Sequence, residues 1–422
     1  EVVVRGLGEK NSIPSEASIQ ITPDFADFGN DVTWKLYKSD TPITCTSNVN
    51  EGIQYYDEAT CDIPKSASLL LEGGAESSYL NITVNPLTET KYYLVVEYAN
   101  NGDQSSQMGK SFSITIGLGS KVKNPIDDII AQLDTTGKCP SVNNDGSVNV
   151  TAVEATNGYL CKAKDAYGDS YYYRGNVTNN YVLFADKYWR IVRINGDGTV
   201  RVIYDGTSAH ANGESSSDRQ IGTSAFNSSY NDNAYVGYMY GQTGASTYAA
   251  AHANTNNSTI KAYIDNWYNT NIVGTTNEQY LADNIFCNDR SISSNKPDSY
   301  NNLGYGTNKT AYRWYYGPWS SGGYNSNMRL TCPQKNDAFT VSDTTNGNGA
   351  LTYPVGLLST DEIVLAGGWN ASNSGYYLYS GQYWWASSPY DFSGSNAYVR
   401  NVYSNGIANY NYIVNFNSGV RP

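Results

Sequence analysis

The chain has 422 residues, which predicts two or three domains, since a single core stops growing at roughly 250 to 300 residues. Its net charge of −12 excludes nucleic acid and anionic membrane surfaces as partners, because both demand basic patches for counterion release. Charged residues make up only 16% of the chain while 39 are Tyr, so the expected surface is aromatic, polar and weakly charged.

Residues 1 to 118 read as an all-β domain. Apolar positions alternate as Val32, Trp34, Leu36, then Leu80, Ile82, Val84, then Phe112, Ile114, Ile116. Each run is bounded by turn residues and presents one face inward, which predicts a two-sheet sandwich. The stretch ITVNPLTETKYYLVVEYANNG at Ile82 to Gly102, with Tyr92 and Tyr93 after a Thr-rich turn, is similar to the corner before the penultimate strand of bacterial immunoglobulin-like modules. The domain gathers no catalytic groups and is read as a stalk. A linker is expected over 119–138, with a short hinge helix started by Pro125 and two Asp at its N-terminal end.

From Cys139 the chain mixes strands with a few helices. Two strand-like runs flank Asn195-Gly196-Asp197-Gly198, which reads as a hairpin turn; an EF-hand calcium loop is excluded because its twelfth-position Glu is missing. Ser258 is placed to cap a helix carrying Ile260, Ile264, Trp267 and Tyr268 at helical spacing. Ser359-x-x-Glu362 is a capping box for a second short helix that stops at Gly367-Gly368.

Six cysteines, Cys45, Cys61, Cys139, Cys161, Cys287 and Cys332, allow 15 connectivities. Pairing of sequence neighbours, 45–61, 139–161 and 287–332, is expected because each link then stays within one domain. Each closure would contribute about 3 to 4 kcal/mol in the chain-entropy model. With no CxxC and only His210 and His252, zinc is disfavoured and no metal or cofactor is expected. Oxidised cysteines point to an extracellular or bacterial cell-surface location. No apolar run reaches the length of a spanning helix. The start at Glu1 without Met is read as the mark of a removed signal or anchor segment. The Asn-x-Ser/Thr sequons at Asn81, Asn176, Asn308 and Asn370 arise by chance in so Asn-rich a chain.

No nucleophilic triad, paired carboxylates at a telling spacing or phosphate loop stands out, and both histidines are read as surface or structural residues. The chain is therefore expected not to be an enzyme.

The segment from Ala371 to Pro422 is the most informative. It is rich in Tyr, Asn, Ser and Gly, has no Lys, and carries only Asp391, Arg400 and Arg421 as charged residues. Tyr offers large amphipathic area with few torsions to freeze, while Asn and Ser offer adaptable hydrogen bonds, the chemistry of a recognition surface. The run WWASSP at Trp384 to Pro389 and the closing GVRP at Gly419 to Pro422 resemble the C-terminal end of C-type-lectin-fold proteins of bacterial surfaces. They are especially similar to the variable proteins of diversity-generating retroelements. YWRIVRINGDGTVRVIYDG at Tyr188 to Gly206, FCNDRS at Phe286 to Ser291 and RLTCP at Arg329 to Pro333 extend the likeness over about two thirds of the chain.

The fold class this implies is mainly β: an Ig-like β-sandwich followed by an α+β head of C-type lectin fold, in the larger formylglycine-generating-enzyme-like version, over 139–422. Calcium-dependent sugar binding does not follow, since the Glu-Pro-Asn, Gln-Pro-Asp and Trp-Asn-Asp runs are missing. The resemblance assigns Trp384, Trp385, Pro389, Gly419, Val420 and Arg421 to the scaffold. It assigns Tyr390, Asp391, Ser393, Tyr398, Tyr403, Asn405, Ile407, Asn409, Tyr410, Asn411, Tyr412, Asn415 and Asn417 to a hypervariable contact set. Many are spaced by two, so alternate members share one strand face. Tyr398, Tyr403, Tyr410 and Tyr412 are expected to be largely exposed and clustered. The function implied is that of an exported adhesin-like or receptor-like binder of a protein or glycan on another cell, a phage or a host surface, held to a membrane only through an anchor absent from this chain. The alternative is a structural surface or pilus-type subunit that uses the Tyr-rich face for assembly.

Overall fold

The computed structural model describes residues 2–5, 15–25, 28, 31–45, 48–50, 53–55, 61–85, 88–98, 105–107, 110–120, 125–315, 327–408 and 410–422, a few of them as backbone only. The fold is mainly β, with 36% strand, 12% helix and several antiparallel sheets. It divides into two compact units, Glu1–Pro125 and Ile126–Pro422.

The first unit contains strands β1 (Val2–Arg5), β2 (Ser15–Asp24), β3 (Val32–Lys38), β4 (Ser68–Gly73), β5 (Ser78–Val84), β6 (Glu89–Tyr98) and β7 (Ser113–Ser120). They form two antiparallel sheets, ordered β1-β6-β3-β4 and β7-β2-β5. The alternation read from the sequence has a packing cause. Val32, Trp34 and Leu36 of one sheet and Ile19, Ile21 and Ile82 of the other are buried in a single core. Trp34 anchors it, donating its indole N–H to the Gly74 carbonyl at 2.9 Å. A Cβ on Gly73 would come within 2.8 Å of the Trp34 ring, so the ring needs a glycine there. Phe112 differs from the expectation. It is 40% exposed and stands edge-on to Phe25 and Phe28 at the rim.

The second unit begins inside the segment expected as a linker. Its first helix, α1 (Pro125–Ile130), sends Ile129 against a core of the unit, and the Asp134 N–H donates to the Leu160 carbonyl at 2.9 Å. One sheet is built from β8 (Gly158–Asp165), β9 (Gly168–Gly175), β10 (Tyr181–Phe184), β11 (Lys187–Ile194) and β12 (Val200–Gly206), with β12 paired to β11 across the Asn195–Gly198 turn. A second large sheet has the order β13 (Thr223–Ala225), β17 (Asn417–Gly419), β14 (Trp384–Ser393), β15 (Asn396–Val402), β16 (Tyr410–Ile413), with the short strand Thr310–Ala311 paired to β14 as well. Its ladders are antiparallel except for β14 against β17.

Between and around these sheets lie helices α2 (Tyr248–Ala251), α3 (Thr259–Asn271) and α4 (Thr360–Leu365). The Ser258 side chain accepts from the Lys261 N–H to cap α3, and Ser359 with Glu362 forms the capping box of α4. Ile260, Ile264 and Tyr268 of α3 enter one core with Trp385, Val399, Val414 and Val420. Ile363, Val364 and Leu365 of α4 enter the other with Trp384 and Val402. Because successive side chains on a strand point to opposite faces, the consecutive Trp384 and Trp385 supply one ring to each core.

Cys139 is bonded to Cys161 and Cys287 to Cys332, as neighbour pairing predicts. Cys45 faces Cys61 in a short antiparallel ladder, but the Cys45 side chain lies outside the described residues.

A candidate ligand-binding face on the terminal sheet

The framework of β14 to β17 is held from inside. Trp384 and Trp385 are fully buried, and the Trp385 indole N–H donates to the Ser224 carbonyl at 2.9 Å. Between Trp385 and Pro389 the register of β14 against β15 is broken. There the chain turns to the α4 entrance instead: the Ser387 N–H donates to the Leu358 carbonyl, and Ser388 Oγ accepts from the Thr360 N–H at 2.9 Å. Pro389, buried and without an N–H, fits this irregular stretch.

Arg421 locks the far edge. Its guanidinium lies 5.1 Å over the Trp384 ring and donates to Asp205 Oδ1 at 2.8 Å and the Leu378 carbonyl at 2.6 Å. Arg219 donates to the same Asp205 oxygen. Burial lowers the Arg421 pKa to about 10, which leaves it charged at neutral pH. The Gly394-Ser395 pair, both at positive φ, closes β14 to β15 as a two-residue hairpin.

On this framework, Tyr412 stands across from Val399 and meets the Trp385 ring edge-on at 6.3 Å. A row of aromatic rings continues from it. Tyr383 lies 5.7 Å from Tyr412 at 27°, Tyr403 lies 4.5 Å from Tyr383, and Phe416 lies 5.9 Å from Tyr412 at 36°. Tyr383, Tyr403 and Tyr412 are half-buried and Phe416 is 53% exposed. The Tyr403 pKa is raised by its hydrogen bond with the Tyr383 hydroxyl. Asn415 and Asn417, on either side of Phe416, are exposed.

A second group of rings gathers where β14 meets residues 300–315. Tyr390 is 4.9 Å from Tyr315 and 6.5 Å from Tyr398, while Tyr315 is 5.5 Å from Tyr300. The Arg400 guanidinium lies 4.5 Å from the Tyr390 ring centre. Tyr398 and Tyr412 occupy neighbouring positions of opposite parity in the β15–β16 ladder, so the tyrosines form two groups and not one cluster.

Several expected contact residues are placed otherwise. Asp391 is 2% exposed and its Oδ2 accepts from the Tyr300 hydroxyl at 2.9 Å. Burial, the largest influence, pushes its carboxyl up to about 6 against hydrogen bonds from Ser393 and Tyr300 and the nearby Arg400. Asp391 therefore belongs to the support and not to the contact set. Tyr398, Tyr403 and Tyr412 are half-buried and not largely exposed, because each leans on a neighbouring ring. Asn405 directs its amide to Ser372 Oγ at 2.9 Å and accepts from the Ile407 N–H, so it shapes the turn. Gly406 in that turn has φ +86 and faces the Asn373 carbonyl so closely that a Cβ would lie 1.9 Å from it. Ser393, Ile407 and Asn411 are half-buried. Asn409 and the Tyr410 side chain lie outside the described residues.

Tyr383, Phe416, Tyr300 and Tyr315 are absent from the contact set read from the sequence. Tyr383 stands one residue before β14 with the parity of the buried Trp385, so alternation alone reads it as core; Tyr300 and Tyr315 reach the sheet only through the tertiary fold.

Both histidines are buried. His210 faces Glu214 through Nδ1 at 2.7 Å and Asp218 through Nε2 at 3.0 Å. Burial opposes its charged form, but the hydrogen bonds with Asp218 and then Glu214 prevail and raise its pKa. His252 meets the Gly304 carbonyl at 2.9 Å, and burial followed by Arg290 holds it far below the usual imidazole range.

Compared with known proteins, the chain matches no family model, no curated protein and no solved structure.

Proposed function

We propose that this chain is an exported binding protein in which an Ig-like stalk carries a C-type-lectin-type head, similar in plan to the variable proteins of diversity-generating retroelements. The head binds its ligand through the aromatic and amide side chains of the terminal sheet and performs no chemistry on it. The observation that carries this reading is the division of labour on β14 to β17. Trp384, Trp385, Val399, Val402, Val414 and Val420 are buried, while the row keeps accessible surface from Tyr412 on β16 and from Tyr383, Tyr403 and Phe416 just beyond the strand ends. Tyr412 anchors the row by resting on the buried Trp385 ring, and Tyr contributes contact area at low entropic cost. Two disulfides are consistent with an extracellular protein.

The test uses the full chain, fluorescently labelled, on a panel of intact bacterial and animal cells, beside a Tyr403→Ala/Phe416→Ala double variant of matched melting temperature. The wild type should decorate at least one cell type and the double variant should lose most of that signal. Equal decoration by both proteins, or none by the wild type across the panel, would overturn the reading.

A further inference from the structure

We propose that the loop 207–216 is a pH-released collar on the stretch that enters β14, closed while His210 is an imidazolium and loosened when the ring becomes neutral. The buried His210 ring lies between two carboxylates, with Nδ1 2.7 Å from Glu214 Oε1 and Nε2 3.0 Å from Asp218 Oδ2. An ionised carboxylate only accepts, and a neutral imidazole donates from a single nitrogen. Both contacts are therefore hydrogen bonds only when the ring carries two protons. Gly206, at φ +123, leaves room for the arrangement, since a Cβ there would lie 2.5 Å from Asp218 Oδ2 and 2.9 Å from His210 Nε2. The groups that other elements bring up do not replace either carboxylate. Tyr181 from β10 and Arg190 from β11 donate to the His210 carbonyl. The Arg219 guanidinium opposes the imidazolium and is itself held by Asp205 at 2.8 Å. Burial also opposes the charge, but Asp218 and Glu214 prevail and raise the His210 pKa above its ordinary 6.5.

The loop is fastened to residues 377–382. The Ser216 N–H donates to the Ser380 carbonyl at 3.0 Å and the Gln382 amide to Ser215 Oγ at 3.4 Å. Gly381, at φ +67, packs so closely that a Cβ would lie 2.0 Å from Ser215 Oγ. Arg219 joins the two sides by donating to the Glu214 carbonyl at 3.2 Å and the Tyr377 carbonyl at 3.0 Å. Tyr383 follows directly in the chain. Loss of a proton leaves one ring lone pair facing a carboxylate, and the surroundings decide which. Asp218 is also held by the Thr207 N–H at 2.9 Å and the Thr207 hydroxyl at 3.1 Å. The Glu214 carboxylate, on a side chain that is 46% exposed, is otherwise held by the Ala211 N–H at 3.1 Å. The neutral ring therefore keeps its N–H on Asp218 and Glu214 turns to solvent. Ser215 and Ser216, next in the chain, then lose their hold on Ser380 and Gln382.

Because the folded value lies above the ordinary one, the collar is closed below pH 6.5 and opens as pH rises through the folded value. The experiment is hydrogen–deuterium exchange of the full, disulfide-bonded chain, read by mass spectrometry from about pH 5.5 to 8.5, with each rate divided by that of an unstructured peptide at the same pH. Protection of segments 207–218 and 374–384 should fall together by at least about threefold as pH rises, while that of α3 stays level. Glu214→Gln should keep both segments protected throughout, since its amide accepts from the imidazolium and donates to the bare Nδ1 of the neutral ring. Wild-type protection that does not change with pH, a loss confined to 207–218, or a Glu214→Gln variant that opens at high pH as the wild type does would overturn the proposal.

Discussion

Trp384 is fully buried with the Arg421 guanidinium above its ring, whereas the Tyr403 hydroxyl reaches that of Tyr383 at the surface. Trp384→Ala should cost about 3 to 5 kcal/mol as a core cavity and Tyr403→Phe no more than about 0.5 kcal/mol, measured by urea unfolding; equal losses would show that the outer rings are themselves structural. Asp391 predicts a pH effect. Its carboxyl is raised to about 6 in the fold against about 3.9 in an unfolded chain, so between those values the folded state holds the extra proton. Stability must then fall as pH rises through that window. Asp391→Asn removes the ionisation and keeps an acceptor for Tyr300, so the variant should gain on the wild type steadily from about pH 4 to 7. His210 acts with the same sign. Its raised pKa contributes stability that is fully present below the unfolded value of about 6.5 and is lost as pH rises through the folded value. An NMR titration should find His210 titrating above the free imidazole and His252 far below it; a normal midpoint for His210 would remove the Glu214 and Asp218 pairing from solution.

At the level of elements, α4 joins two functions in one residue. Glu362 completes the capping box with Ser359 and also faces the buried Arg193 at 3.3 Å and Arg201 at 3.7 Å. Ser359→Ala should cost about 1 kcal/mol as a lost cap. Glu362→Gln should cost more, roughly 3 kcal/mol, because the buried Arg201 loses its carboxylate while Arg193 keeps Asp165 at 2.7 Å. Thermal unfolding of the two variants checks the contrast. The cap was readable from Ser359-x-x-Glu362, as were the Ser258 cap, the Asn195–Gly198 hairpin and the neighbour disulfides, since all depend on residues close in sequence. The counter-ion role was not, because Arg193 lies 169 residues from Glu362 and periodicity carries no information about which distant charge arrives. Asp391 misled for the same reason. Its spacing matched the outward tyrosines, but the strand leaves its partner between Trp385 and Pro389, and the donor that accepts its burial, Tyr300, lies 91 residues away.

For the whole molecule, each unit has its own core, and the two fully described disulfides both lie within Ile126–Pro422. A fragment from Ile126 to Pro422 should therefore fold alone under oxidising conditions, with links 139–161 and 287–332 and a cooperative melt of its own; a fragment that stays unfolded would show that the second unit needs the first. The closure of the terminal sheet has a consequence for variation. Arg421 bonds to Tyr204, 217 residues earlier, and the Val420 N–H donates to the Gly222 carbonyl, so the stretch that would carry ligand contacts is also the stretch that completes the head. Contacts so remote in sequence form late and slowly. Any altered version of this segment must thus pass a folding trial before it can be tried as a binder, so variation here is filtered first by whether the head closes and only afterwards by what it recognises.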